Sequence, residues 1–264
     1  MELTRRLIFR GNAVAFGGRI VRPEVLPLEM PGASCIPVTG GRTVSRIPRT
    51  RFKNFASFES ASTLAEGWFD DVEGAIALSN HTVKEETLTA TTRVRGEIAK
   101  LVVGSKKRLK VDRSAIELRS RNPADSGEPP IVVVEATLEG VTIDNFKLKF
   151  TIERSVFERY DTYAKVLTAC DDPAFKKKYG RLFRMTGTMM YATLVRKIDW
   201  DGPPNLDAQI DEHTVVVKDF GRIFFGEVLI QSTARRVTMV RLELGSDEGG
   251  AAGGPDVDIN GSWS

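Results

Sequence analysis

Histidine and cysteine are scarce: the 264 residues hold two of each. That scarcity excludes zinc fingers, iron–sulfur clusters and disulfide scaffolds, which draw on more of these residues at set spacings. No stretch approaches the ~18–20 apolar residues of a membrane helix, which excludes an integral helical membrane protein. Charge of one sign is also missing. Thirty-eight Lys and Arg face 35 Asp and Glu, and a net +3 is too small to give the whole molecule a field for nucleic acid or anionic lipid. Any such binding has to be local. The N-terminal apolar stretch is interrupted by Arg10 and Asn12 and followed by Arg19 and Arg22, so an export signal is not expected. The expectation is a cytoplasmic protein with reduced Cys35 and Cys170, in which the sequons at Asn80 and Asn260 are chance matches.

Phosphate-binding motifs are missing as well. Gly104-Ser105-Lys106-Lys107 lacks the upstream glycine of a P-loop, and Gly11, Gly17 and Gly18 have neither dinucleotide-binding spacing nor a following helix. Cys35 with His81 or His213 would be the one thiol–imidazole pairing, but no helix N-terminus lowers the Cys35 pKa. No catalytic residue is assigned.

What is present is ordinary globular composition, 41% hydrophobic and 28% charged, arranged mainly with the period of two that marks half-buried strands. Strand patterns run through about 87–103, 109–119, 131–143, 146–153, 186–200, 214–220, 222–231 and 235–244. Asp144-Asn145 tolerate the positive φ of a type I′ turn and join 131–143 to 146–153. Residues 122–130, with three prolines and a glycine, form a loop.

One helix is predicted from Ser155, where Glu158 stands at capping-box spacing and Val156, Tyr160, Tyr163, Leu167 and Cys170 make an apolar stripe. Asp172-Pro173 opens a second, stopped by Gly180. Strands that follow strands directly argue against a parallel α/β sheet. The expected fold is mainly β, all-β to α+β: an antiparallel β-sandwich or partly closed barrel with a short two-helix insert at about 155–180. Residues 1–245 read as one domain, and 246–264 as a flexible Gly/Asp-rich tail.

Candidate sites are scattered. Trp68, Asp70 and Asp71 place carboxylates beside an aromatic ring, and His213 follows Asp211-Glu212, so these four are the candidate ligand-binding residues. Arg42, Arg46, Arg49, Arg51 and Lys53 run beside Phe52, Phe55 and Phe58, and Lys106, Lys107 and Arg108 share a turn. Basic residues interleaved with aromatics can track phosphates, and these are the candidate anion-binding residues. Asp256, Asp258 and Asn260 with Gly261 reproduce the opening of a calcium loop, without its closing carboxylate. Calcium is therefore the one cofactor considered.

Three functional classes follow. The leading one is a non-catalytic binding or structural β-module acting through surface or strand-edge contacts with a protein partner or with itself. The second is an enzyme or small-molecule carrier with a pocket in the β-fold. The third binds nucleic acid or an anionic membrane surface through the basic segments.

Overall fold

A computed structural model of the chain describes residues 7–29, 32–70, 89–104, 108–123, 127–202, 208–245, 249–260 and 262–263. Strands take up 65% and helices 11%, which settles the class as mainly antiparallel β: two sheets packed together, with no closed barrel.

The first sheet is a meander whose centre is the hairpin Thr89–Val103 with Leu109–Pro123. Ser60–Phe69 and then Gly41–Ile47 lie on one side of it, and Ile131–Glu139 on the other. Val94, Ile98, Ile116 and Leu118 point inward and are fully buried. The second sheet is built on another hairpin, Gly221–Ile230 with Ala234–Gly245. It sends Val237, Met239, Val257 and Ile259 into the same core. Where the sheets approach closely the inward residue is Gly96, at which a Cβ would come within 2.9 Å of Pro255.

The central hairpin of the second sheet changes phase. Outward residues run Arg222, Phe224, then Glu227, Leu229 on one strand and Arg236, Thr238, then Arg241, Glu243 on the other, with Phe225, Met239 and Val240 turned inward between them. A strand that kinks this way cannot keep one straight neighbour along its length. Each strand accordingly has two. Gly221–Ile230 pairs with Thr214–Val217 along one half and Met189–Thr193 along the other. Ala234–Gly245 is shared between Gly249–Gly253 and Asp256–Asn260, which continue outward to Gly17–Arg22 and Gly11–Val14.

The tail expectation is therefore corrected. Gly249–Gly253 and Asp256–Asn260 are sheet strands, because their small and alternating residues fit between the N-terminal strands and the hairpin. The 131–143 segment is also corrected. It ends as a strand at Glu139 and pairs with Leu109–Pro123, and only Thr142–Ile143 forms the expected hairpin with Phe146–Ile152.

The insert holds three short helices rather than two: α1 (Ser155–Arg159), α2 (Tyr163–Asp171) and α3 (Pro173–Tyr179). The chain breaks at residues 160–162 because Thr162 starts a new helix, its hydroxyl accepting from the Lys165 N–H at 3.2 Å. Glu128 reaches across from the preceding loop to accept from the N–H groups of Tyr163 and Ala164. Ser155 does not cap α1; its hydroxyl bonds the Glu153 carboxylate instead. Asp172 and Pro173 do open α3, as their types require. Both cysteines are free thiols, Cys35 exposed and Cys170 half-buried. No helix among the described residues is long and apolar enough to cross a membrane.

Candidate functional site

The forked pairing of Gly221–Ile230 leaves an open groove on the outer face of the second sheet. Its two neighbours part at Gly226, whose φ of +65° and lack of a side chain let the chain turn there. Leu194 donates to the Gly226 carbonyl at 2.8 Å on one side of the fork, and Phe225 donates to the His213 carbonyl at 3.0 Å on the other. The concavity between holds about 560 Å³. Its floor is Phe224, Glu227 and Leu229 with Arg236, Thr238 and Arg241, outward-facing residues that stand opposite one another in register. One bank carries Arg181 in the turn Gly180–Leu182, Arg184 in Phe183–Thr186, and Tyr191. The other bank is Glu212-His213, at the turn between Ala208–Asp211 and Thr214–Val217.

The floor's charges are compensated. Arg241 donates to both oxygens of Glu227, at 2.9 Å to Oε1, and to Glu243, and these bonds hold its pKa above the ordinary arginine value. Its Cζ lies 3.8 Å from the centroid of Phe224. Arg236 is held in the same way by Asp256, to which Thr238 also donates at 2.9 Å. The banks differ. Arg181 and Arg184 are exposed and make no ion pair among the described residues. His213 has its ring 6.4 Å from Phe224, and its Nδ1 is buried without a hydrogen-bond partner among the described residues. Burial pushes its pKa down, against the upward pull of Glu227 and Glu212.

Of the described candidate ligand-binding residues, only His213 lines this groove. Trp68 and Asp70 lie at the end of Ser60–Phe69 in the first sheet; Asp70 accepts from Thr91 at 2.7 Å and Arg121 at 2.8 Å. Asp71 lies outside the described residues.

Several of the basic candidates are engaged within the protein. Arg42 pairs with Glu66 at 3.4 Å, Lys53 with Glu24, and Arg51 bonds Asn54 and the Lys53 carbonyl. Arg46 and Arg49 are exposed. Arg108 is taken up by the protein itself: it bonds both oxygens of Asp144 and the Lys218 carbonyl and lies over Phe220. Lys106 and Lys107 lie outside the described residues.

The outer face of the first sheet is instead a lattice of opposite charges. Arg93, Arg95 and Arg113 interleave with Glu97, Glu117 and Glu135, and Glu117 is only 5% exposed beneath Arg93.

The calcium candidates do not form a loop among the described residues. Asp256, Asp258 and Asn260 stand in an extended strand, where alternate side chains are ~7 Å apart, not in the wrapped loop that the motif calls for. Asp256 is engaged by Arg236 and Thr238, and Asp258 accepts from Asn12 at 3.2 Å. Among the described residues no His, Cys, Asp and Glu cluster could hold a metal.

Sequence reasoning missed Arg181, Arg184, Tyr191 and the floor residues. One signal was available: Ile-Phe-Phe-Gly-Glu at 223–227 loses its alternation around a mid-strand glycine, the mark of a bulge.

Comparison with curated proteins and with solved structures gives no match. A family model does match, over residues 7–197, a span that includes the first sheet, the helices and the Arg184–Tyr191 bank but ends before the Gly221–Ile230 floor. With most of its length covered by that match, the chain belongs to the family described as Domain of unknown function (DUF8256).

Proposed function

We propose that this protein is a non-catalytic binding module that seats its ligand in the fork of the second sheet. The observation that carries this reading is the pairing pattern of Gly221–Ile230. Strands that part around Gly226 open a cavity of about 560 Å³ among outward side chains, within the range of small-molecule sites. The compensated floor is preorganised by hydrogen bonds, while one bank offers Arg181 and Arg184, exposed and without an ion pair among the described residues. By contrast, the outer face of the first sheet satisfies its own charges, so a ligand there would have to displace existing ion pairs.

A fragment screen by ligand-observed NMR tests the reading on the full chain. Hits should lose their signal with Tyr191→Ala, because Tyr191 is 45% exposed on the bank and its loss removes wall rather than core. Hits that bind wild type and variant alike would show that recognition happens elsewhere.

A further inference from the structure

Resting on the fork as the recognition site, we propose that its ligand is a small planar aromatic anion, its ring stacked on the Arg241–Phe224 pair and its phosphate or carboxylate held by Arg181 and Arg184.

The ring half follows from how Arg241 is held. It stands opposite Phe224 in register and lies over that ring, with its Cζ 3.8 Å from the centroid. Two bonds to Glu227 and one to Glu243 fix the guanidinium plane before any ligand arrives. Those carboxylates also compensate its charge, so what Arg241 offers a ligand is chiefly a flat, polarisable face. Its side chain is 35% exposed and lines the groove floor, where a second ring can approach it. Aromatic rings stack on guanidinium planes and on tyrosine alike, and Tyr191 stands 45% exposed on the adjoining bank.

The anion half follows from the bank charges. Arg181 and Arg184 sit three residues apart on the same side of the groove, and neither has a carboxylate among the described residues. Planar, always charged guanidinium groups in that state are suited to a phosphate or carboxylate, which they can bind in bidentate fashion. Glu212 on the opposite bank repels such a group. The ligand is thereby oriented, with its charge toward Arg184 and its ring over Arg241. A volume of about 560 Å³ takes one ring system with its charged group.

The test is isothermal titration of the full chain with phenyl phosphate, benzoate, cyclohexyl phosphate, phenol and inorganic phosphate, each also followed by amide chemical shifts. Phenyl phosphate or benzoate should bind about tenfold or more tightly than cyclohexyl phosphate, which keeps charge without a π face, and than phenol, which keeps the ring without charge. Which of the two anions binds better separates phosphate from carboxylate. Arg184→Gln should weaken the aromatic anions about tenfold and leave phenol unchanged; Arg184→Lys, which keeps the charge at this exposed position, should restore part of the loss.

Equal binding of phenyl and cyclohexyl phosphate, or of phenyl phosphate and phenol, with shifts confined to the fork, overturns the ligand class and leaves the fork as the site. Shifts that fall outside the fork overturn both. Binding of none of the five overturns the ligand class, and the fragment screen then decides the fork independently.

Discussion

Arg235 is 1% exposed, yet no carboxylate among the described residues pairs with it. Its guanidinium donates instead to the main-chain carbonyls of Ile131, Phe157, Tyr160 and Asp161, tying the second sheet to α1 and to the edge of the first. Burial pushes its pKa down to about 10, with the charges of Asp161 and Glu128 opposing the shift. Arg235→Ala would leave several buried carbonyls without a donor, and should lower unfolding free energy by about 2–4 kcal/mol in a urea titration. His213 makes a second prediction. Burial lowers its folded-state pKa below the ordinary 6.5, so between those values the unfolded chain holds a proton that the folded chain does not. Stability should therefore fall as pH drops through 6.5 and level off below the folded pKa. His213→Gln should remove that part of the slope when urea midpoints are compared at about pH 8 and about pH 5. Neither role was legible in the sequence. Arg235 and Arg236 are adjacent, and only the register decides that one is buried among carbonyls and the other pairs with Asp256.

The hairpin turn at Asp144-Asn145 was legible, because the conformation is demanded by the residues themselves. Both have positive φ, 49° and 73°, as a type I′ turn needs. Asn145→Val, a β-branched residue in a left-handed conformation, should cost about 1–2 kcal/mol and lower the thermal midpoint. α3 was legible for the same reason, from Asp172 and Pro173. The break between α1 and α2 was not. The stripe through Tyr160 and Tyr163 has helical spacing, and what interrupts it is distant in sequence: Arg235 takes the carbonyls of Tyr160 and Asp161, and Glu128 caps the restart. Leu167, counted into that stripe, is 41% exposed. Strand edges bear on self-association. Among the described residues Gly41–Ile47 pairs on one side only, with Ser60–Phe69. A second copy added antiparallel about Val44 would set Arg42 against Arg46, like charges directly opposed. Light scattering should accordingly show a monomer at low salt; a dimer abolished by Val44→Asp would contradict this.

Across the molecule, the two sheets share a core but present different outer faces. Strand majority and antiparallel pairing were readable because period-two alternation is local. The groove was not, because it arises where the two strands of one hairpin change phase together and their neighbours part, a property of pairing rather than of any segment. The Asp256-Val-Asp258-Ile-Asn260 segment is ambiguous for a related reason: it is both a loop motif and an alternating strand, and the two flanking strands decide for the strand. The net +3 is likewise unevenly organised, with matched Arg and Glu on the first sheet and, beside the fork, Arg181 and Arg184 that pair with no carboxylate among the described residues. The most direct check on the fork as recognition surface is a crystal structure of the protein soaked with a mixture of small aromatic and anionic fragments. Density should gather over Arg241 and Phe224, between Tyr191 and His213; fragments seated on the first sheet's charge lattice, with the fork left to solvent, would contradict the account.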